Sequence, residues 1–366
     1  MSFQPKQLEY ICLEDLIPQN HIYREFQSLW DLSVLKPELE KIEQNSDHKG
    51  YGIYRMFLCL LLQFVEDLSD RELEKFLMEN TAAKWFCQFD LTARTPDHST
   101  ICRTREKIGT SRLSKIFNQL RDQLKQQGFI SEVFTFIDAT HLISKATLWK
   151  ERDEAIEKKI KAEKALKKSA EGIEKLGKRT PAEVVIAEKL AVLNNENIAD
   201  FAADKEARFG AKSKKKFWFG YKKHVSVDMQ SGLINKVAIT SAEVIDSKGF
   251  RNVTPKQGAV YVDKGYCDKN VQMVAKANNL HLCAIKKNNM KGKNRDLDCF
   301  YSGIRAPYER VFAHSNKRTR YRGLVKNQFH AFMQTIAFNL KRLVVLTAEN
   351  SGLMVNQPVN SLILAT

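Results

Sequence analysis

The stretch VFTFIDATHL, residues Val133 to Leu142, decides the fold of this chain. Its first five side chains are β-branched or aromatic, and such residues favour strands. Because they fill both faces of the strand, they predict a position in the middle of a sheet. Asp138 comes directly after them. A carboxylate there is costly unless a cation or hydrogen-bond donors meet it, so Asp138 is either a metal ligand or a strand-end residue that caps a turn.

Strands and helices alternate after this central stretch. Residues 217–229 and 233–244 alternate in polarity around the turn Gln230-Ser231-Gly232, which predicts a β-hairpin. The run GAVYVDKG, residues 258–265, predicts a buried strand that ends in Asp263. A helix over 268–278, a strand over 281–286 and a helix over 328–346 follow. This order predicts a mixed α/β sheet with helices on its faces.

Residues 1–128 are predicted to be all-helical. The apolar run 56–65 predicts a buried helix, and Ser69 with Glu72 fits a capping box that opens another helix. The segment TPDHST, from Thr95, opens a basic helix that carries Arg103 and Arg105. A basic helix late in a helical set suits a helix-turn-helix-like DNA-binding module, and it suits a plain solvent-exposed surface equally well.

A charged segment separates the first strand from the hairpin. Residues 150–189 are dense in charges of both signs, with Ala, Leu and Ile spaced between them. This pattern predicts a long, solvated helical insertion, which we place at about 150–203. The insertion is either a connector without chemistry or an arm that grips DNA or a second subunit. Residues 347–366 are assigned to a C-terminal tail.

The net charge of the chain is +16, from 59 basic and 43 acidic residues. Such an excess implies a polyanionic partner, with nucleic acid first and a ribosome-like or membrane-surface role as the alternative. One basic cluster precedes Phe217, Trp218 and Phe219, whose rings either pack in the core or stack on bases. The basic residues that we expect to contact phosphates in and after this region are Lys214, Lys215, Lys216, Lys317, Arg318, Arg320 and Arg322.

Three observations predict the compartment. The longest apolar run is too short to span a membrane, and residues 1–19 lack the pattern of a signal peptide. The seven cysteines form no close pair, which argues against a zinc site or a disulfide framework. We therefore expect a cytoplasmic protein that associates with the nucleoid and not with a membrane.

Three acidic residues stand on elements that a mixed sheet can bring together. Asp138 lies in the first strand, Asp263 at the end of a later buried strand, and Glu309 in a late helical segment. If the two strands are neighbours, both aspartates can share a metal ion while Glu309 reaches in from a helix. Carboxylates suit Mg²⁺ or Mn²⁺, and two such ions suit the cleavage of a phosphodiester. Pro307 predicts a helix that starts near Ala306 and holds Glu309 in its first turn.

Together these segments resemble the bacterial insertion-sequence transposases of the DDE class, and the resemblance runs from about residue 54 to residue 346. Any one of its motifs is weakly specific, but the set is highly specific. The motifs are LSDRELEKFL (68–77), WFCQFDL (85–91), TPDHST (95–100), FIDATHL (136–142), DKEARFGAKSKKKFWFGYKKHVSVD (204–228), YVDKGY (261–266), RAPYERVF (305–312), KRTRYRG (317–323) and AFNLKRL (337–343).

The resemblance implies an RNase H-like mixed sheet flanked by helices over 129–346, behind a helical domain, 1–128, that binds DNA ends. Asp138, Asp263 and Glu309 would be its catalytic metal-binding triad, with Mg²⁺ as the ion and Mn²⁺ as the alternative. Lys264 and Arg305 would contact DNA. Tyr301 and Lys317 each stand one position away from the family's usual spacing around Arg305 and Glu309.

The activity that the resemblance implies is cleavage at the ends of an insertion sequence, followed by joining of the freed 3′-hydroxyl to target DNA. Its partners would be the double-stranded terminal inverted repeats, the target DNA and a second copy of the chain. Two other functions stay open on the sequence. One is an RNase H-like nuclease or resolvase without strand transfer, and the other is a catalytically inactive, DNA-binding remnant.

Overall fold

A computed structural model of the chain describes residues 11–43, 50–146, 148–170, 195–198, 202–213, 216–288, 290–312 and 317–350. The chain forms two compact units. One contains the residues up to Ser131, the segment Asp228–Asn235 and the segment from Phe332 onward. The other contains Glu132–Val227 and Lys236–Ala331. The three predicted acidic residues all belong to this second unit.

The N-terminal residues of the first unit are helical, as predicted. Almost every side chain of the apolar helix is buried, and the capping box of Ser69 and Glu72 is present. The last helix of these residues, which contains the predicted basic helix, is interrupted at Gly109, whose φ of 66° is not helical. The helices are α1 (Ile22–Leu29), α2 (Lys36–Glu40), α3 (Ile53–Val65), α4 (Asp70–Glu79), α5 (Thr81–Phe86) and α6 (His98–Gln126).

A mixed sheet forms the second unit, and its strand order is β2-β3-β1-β5-β6, with β4 paired to β3. The predicted central position of the first strand is confirmed. That strand is longer than predicted, so Asp138 lies within it and not in a turn at its end. The strands are β1 (Phe134–Ile143), β2 (Arg208–Ser213), β3 (Lys216–Asp228), β4 (Ile234–Ser241), β5 (Ala259–Val262) and β6 (His281–Ala284).

Helices pack against this sheet and close an apolar core. Ile137, Val260 and Val262 of the strands are fully buried against Phe250 and Val271 of two helices. The helices that complete the description are α7 (Leu148–Ala170), α8 (Asp246–Val253), α9 (Lys269–Ala277), α10 (Arg295–Arg305) and α11 (Leu324–Asn350). Helix α7 begins the predicted charged insertion, of which residues 171–194 lie outside the described residues.

The register of β1 and β5 brings the two aspartates together. The strands run parallel, and Ile137 pairs with Val262. The next residue along each strand direction is an aspartate, so Asp138, within β1, and Asp263, directly after the end of β5, lie side by side, about one strand spacing of roughly 4.8 Å apart. The condition set from the sequence, that these two strands are neighbours, is therefore met.

Gly220 allows β3 to approach β1 on the other side. Its φ is +151°, and a Cβ there would lie only 2.1 Å from the carbonyl oxygen of Leu142. A side chain at this position would push the strands apart, because no L-residue fits such a contact. The glycine therefore helps to keep β1 central.

Glu309 lies in a 3₁₀ turn, which differs from the predicted start of an α-helix near Ala306. The α-helix begins earlier, at Arg295, and ends at Arg305, after which Ala306–Phe312 forms the 3₁₀ turn. Pro307 has no N–H to continue the α-helical hydrogen bonds, so the chain tightens there instead of starting a new helix. Arg305 and Glu309 consequently face the same region.

Within the described ranges, none of the helices combines the length and the apolar character needed to cross a membrane.

Candidate active site

The three predicted acidic residues converge on one arginine. Arg305 Nη1 lies 3.3 Å from Asp263 Oδ1, and Arg305 Nη2 lies 3.5 Å from Glu309 Oε1. The same Nη2 lies 3.9 Å from Asp138 Oδ2. Two parallel strands and the 3₁₀ turn therefore deliver three carboxylates to a single guanidinium, although they are far apart in the chain.

Arg305 is held by packing as well as by charge. Its side chain is only 6% exposed, and its guanidinium carbon lies 5.5 Å from the centre of the Phe136 ring. A guanidinium above an aromatic face gains a favourable cation–π interaction that increases when water is excluded. The site thus places one fixed positive charge among three acidic groups.

The pKa of the Asp138 carboxyl is raised above its ordinary value. Burial in the sheet raises its pKa to about 6, with further raising contributions from Asp263 and Asp246. The hydrogen bond from the Ala139 N–H and the charge of Arg305 lower the pKa and offset part of this increase. Asp138 therefore exchanges its proton just below neutral pH, and a bound cation would favour its charged form.

An open cavity of about 620 Å³ exposes this cluster to solvent. Asp138, Asp263 and Glu309 line it together with Arg305, Lys212 and Lys264. A second cavity of about 740 Å³ also includes Asp263, Glu309 and Lys264 in its lining. Five lysines line this second cavity, with Trp218 and His141 beside them: Lys212, Lys222, Lys264, Lys287 and Lys317. The acidic centre is thus bordered by a strongly basic surface.

The structure adds a fourth acid that sequence reasoning did not single out. Asp246, at the start of α8, lines the second cavity, and its Oδ1 lies 2.8 Å from Lys222 Nζ. Lys222 lies in β3, and only 12% of its side chain is exposed. In the sequence, neither residue differs from the many charged residues of ordinary surfaces. Only the proximity of α8 to β1 and β5 gives Asp246 a place near the site.

Lys264 and Lys317, two of the predicted DNA-contacting residues of the second unit, line these cavities. Lys264 is exposed in the turn after Asp263. The Lys317 side chain is exposed. The Lys317 carbonyl accepts a hydrogen bond of 2.7 Å from Ile143 N, which ties this segment to the end of β1. Arg318 and Arg320 follow it, and Arg322 Nη2 lies 3.7 Å from Glu151 Oε1.

Two of the predicted DNA contacts are placed less favourably for that role. Arg105 Nη2 lies 2.5 Å from Asp70 Oδ1 and also contacts Gln63, and only 11% of its side chain is exposed. Arg305 is buried among the carboxylates. By contrast, Arg103 is exposed on α6. Lys214 and Lys215 lie outside the described residues, and of Lys216 only the backbone is described.

The donor chemistry of the cluster fits a hard divalent cation, since three carboxylates line one solvent-accessible cavity. In the described part of the chain, however, no three His, Cys, Asp or Glu side chains lie close enough to share one ion. The guanidinium of Arg305 lies within 3.9 Å of all three carboxylates. Asp138, Asp263 and Glu309 are the residues that would hold the ion.

Known protein families match two parts of this chain. Residues 11–107 match a family described as "Transposase domain (DUF772)", and residues 178–340 match the "Transposase DDE domain". The second match includes Asp263 and Glu309, while Asp138 precedes it. Together the two matches cover most of the helical N-terminal region and most of the sheet.

One solved structure is similar over much of its length, the "Mos1 transposase paired-end complex with left transposon end". It is 9% identical, with 77% of this chain and 78% of that chain covered. The TM-score of 0.18 is too low to indicate a shared fold.

The family matches confirm several predictions made from the sequence. The observed fold is a mixed sheet flanked by helices that follows a helical region, and the protein is an enzyme, a polynucleotidyl transferase that acts on DNA. The family depends on a divalent metal. The chain belongs to the insertion-sequence transposases of the DDE class.

Proposed function

We propose that this transposase cleaves DNA at the ends of its insertion sequence and joins the freed 3′-hydroxyl to target DNA, with Asp138, Asp263 and Glu309 as its catalytic metal ligands. The observation that carries this proposal is the convergence of the three carboxylates, from β1, β5 and the 3₁₀ turn, on Arg305. Three acids that share one cavity and one cation form a site that is built to concentrate positive charge.

Mg²⁺ is the ion that we assign to the site, with Mn²⁺ as a substitute, because all three side chains offer hard oxygen donors. When bound, the metal activates the attacking oxygen and stabilises the leaving oxygen of the phosphodiester. The chain itself fixes the positions of the three carboxylates. The parallel register of β1 and β5 fixes two carboxylates side by side, and the turn at Pro307 aims Glu309 at them.

The lysines around the cavities supply the charge that DNA requires. Lys264 follows Asp263 directly, and Lys212 and Lys317 line the second cavity near Glu309. We assign phosphate contacts to these three side chains, because exposed ammonium groups beside an acidic centre can hold a DNA backbone against the repulsion of the carboxylates. The same role is proposed for Arg318, Arg320 and Arg322.

The helical region 1–128 is proposed to bind the terminal inverted repeats, with Arg103 among its phosphate contacts. Residues 129–346 would then form the catalytic domain. We further propose that the active complex is a homodimer, since two ends must be joined to one target. The compartment that fits this activity is the cytoplasm, with the protein associated with the nucleoid.

A strand-transfer assay with pre-cleaved ends tests the proposal. Duplexes that carry the inverted repeat with a free 3′-hydroxyl are mixed with a supercoiled target plasmid, with Mg²⁺ or with EDTA. We expect joined product with Mg²⁺, none with EDTA and none with the variant Asp263→Asn. A matched control is Asp296→Asn, an exposed acid in the first turn of α10, which should give joined product at the wild-type level.

The strand-transfer assay, run beside a nicking assay on full-length ends and a binding titration of the ends, separates the alternatives. A nuclease or resolvase of this fold would nick full-length ends with Mg²⁺ and yield no joined product. An inactive remnant would bind the ends and yield neither nicks nor joined product. Either result would overturn the proposed strand transfer.

A further inference from the structure

Arg305 contacts three carboxylates at long range and none of them at short range. Its contacts with Asp263, Glu309 and Asp138 are 3.3, 3.5 and 3.9 Å. A charge-assisted hydrogen bond between a guanidinium and a carboxylate is usually about 2.7 to 2.9 Å and often bidentate. Arg305 therefore neutralises the cluster without locking onto any one of its members.

The positive charge at this position is smaller than the negative charge around it. One guanidinium faces three carboxyl groups, at distances of 3.3, 3.5 and 3.9 Å. Carboxylates that crowd around one cation repel one another, so a further positive charge at this place would be favourable. The site is built for more positive charge than Arg305 provides.

The guanidinium of Arg305 also lies beside open space. Arg305 is the last residue of α10, and its side chain lines the open cavity of about 620 Å³. Its contact with the Phe136 ring is on one side only, at 5.5 Å. A change of side-chain rotamer can therefore carry the charged group into the cavity without opening the apolar core.

We propose that Arg305 is the resident counter-cation of the metal-free site: it holds Asp138, Asp263 and Glu309 together and leaves the space between them when a divalent cation binds. This inference rests on the proposed function, which assigns the three carboxylates to the metal. Like charges repel strongly at a few ångströms in a partly buried site, so the guanidinium and the ion exclude one another. Arg305 is a positioning residue in this account.

Binding of Mn²⁺ to the full chain without DNA tests the inference. The free ion is followed by its electron paramagnetic resonance signal during a titration. Because a competing charge is removed, Arg305→Gln should bind Mn²⁺ roughly tenfold or more tightly than the wild type. Arg305→Lys keeps the charge but not the fork that reaches three partners, so its affinity should lie between those two. Arg295→Gln, at the exposed start of the same helix, should match the wild type.

Thermal unfolding gives a second readout. Metal-free Arg305→Gln should unfold at a lower temperature than the wild type, since its three acids lose their shared partner. Mn²⁺ should then raise the unfolding midpoint of this variant more than it raises that of the wild type. If Arg305→Gln does not fold, Arg305→Lys carries the test: tighter Mn²⁺ binding than in the wild type supports the inference, and equal or weaker binding overturns it.

Asp138→Asn separates this inference from the proposed function. If Arg305→Gln binds Mn²⁺ no more tightly than the wild type, while Asp138→Asn abolishes both Mn²⁺ binding and DNA nicking, the inference is overturned and the proposed function stands. If Asp138→Asn retains both Mn²⁺ binding and nicking, the proposed function fails, and the inference fails with it.

Discussion

Two largely buried arginines of this protein differ in how closely they contact carboxylates. In the helical unit, Arg105 Nη2 lies 2.5 Å from Asp70 Oδ1, and it also contacts Gln63. In the sheet unit, Arg305 has three carboxylate partners, each at 3.3 Å or more. The first arrangement balances its charges, while the second leaves an excess of negative charge. A balanced pair stabilises a fold, whereas an unbalanced cluster is suited to receiving a further cation.

Removal of one acid from the unbalanced cluster should have the largest effect. Asp138→Asn is expected to lower Mg²⁺-dependent nicking of end DNA by roughly a thousandfold or more, because the reacting phosphodiester loses part of its metal site. Binding of the DNA ends should stay within about threefold of the wild type, since phosphate contacts supply that affinity. The measurements are a gel assay of nicking and a binding titration at fixed salt. Nicking that survives in this variant would contradict the assignment of Asp138.

Removal of Asp70, the partner of Arg105, should change the stability of the protein and not its catalysis. Asp70→Asn leaves Arg105 largely buried without its partner, which should lower the free energy of unfolding by about 1 to 3 kcal/mol. Urea unfolding of the single variants and of the double variant Asp70→Asn/Arg105→Gln measures their coupling. Affinity for Mn²⁺ should not change. A change in metal affinity larger than the change in stability would remove the contrast between the two arginines.

The raised pKa of Asp138 predicts a pH effect of smaller size. Its folded-state pKa is about 6, above the ordinary value of 3.8. The charged form is therefore disfavoured in the metal-free fold, and stability falls as the pH rises from below 4 through 6. Asp138→Asn does not titrate, so its stability relative to the wild type should improve by roughly 1 kcal/mol between pH 5 and pH 7.5. Urea unfolding in EDTA at the two pH values measures this. A constant difference would show that the pKa is not raised.

Arg103 should show the smallest effect, and it refines the comparison within one helix. Its exposed side chain makes only local hydrogen bonds, to Ser99 and Thr100, whereas Arg105 is tied to Asp70. Arg103→Gln should weaken binding of the DNA ends a few-fold and reduce the slope of log affinity against log salt by about 1, without a change in stability. An unchanged salt slope would exclude Arg103 from the phosphate contacts.

Much of the fold could be predicted because its signals are local. The capping box at Ser69, the apolar helix and the hairpin of β3 and β4 each follow from short-range patterns of side chains. β2 was not predicted, since Arg208–Ser213 is short and mixes charged, small and aromatic residues. The 3₁₀ turn at Glu309 was placed wrongly as a new α-helix. Pro307 is compatible with both conformations, and only the preceding helix decides between them.

Some residues of the candidate site could likewise be predicted from the sequence, and others could not. The identities of Asp138, Asp263 and Glu309 could be proposed from the sequence, since each acid stands at a chemically unusual position or in a recognisable motif. The roles of Arg305 and Asp246 could not. Arg305 was expected to face DNA, and its position among the carboxylates depends on long-range packing over Phe136. The proximity of Asp246 depends on how α8 packs, which no local pattern contains.

Iron-directed cleavage of the polypeptide tests the central claim most directly. Fe²⁺ replaces Mg²⁺ in the full-length protein, and peroxide with ascorbate then generates radicals that cut the backbone next to the bound ion. The account predicts cuts near Asp138 and near Asp263, competed by Mg²⁺ and lost in Asp138→Asn. Cuts confined to other acids, such as Asp70, or cuts that persist unchanged in Asp138→Asn would contradict the claim that the carboxylates around Arg305 form the metal centre.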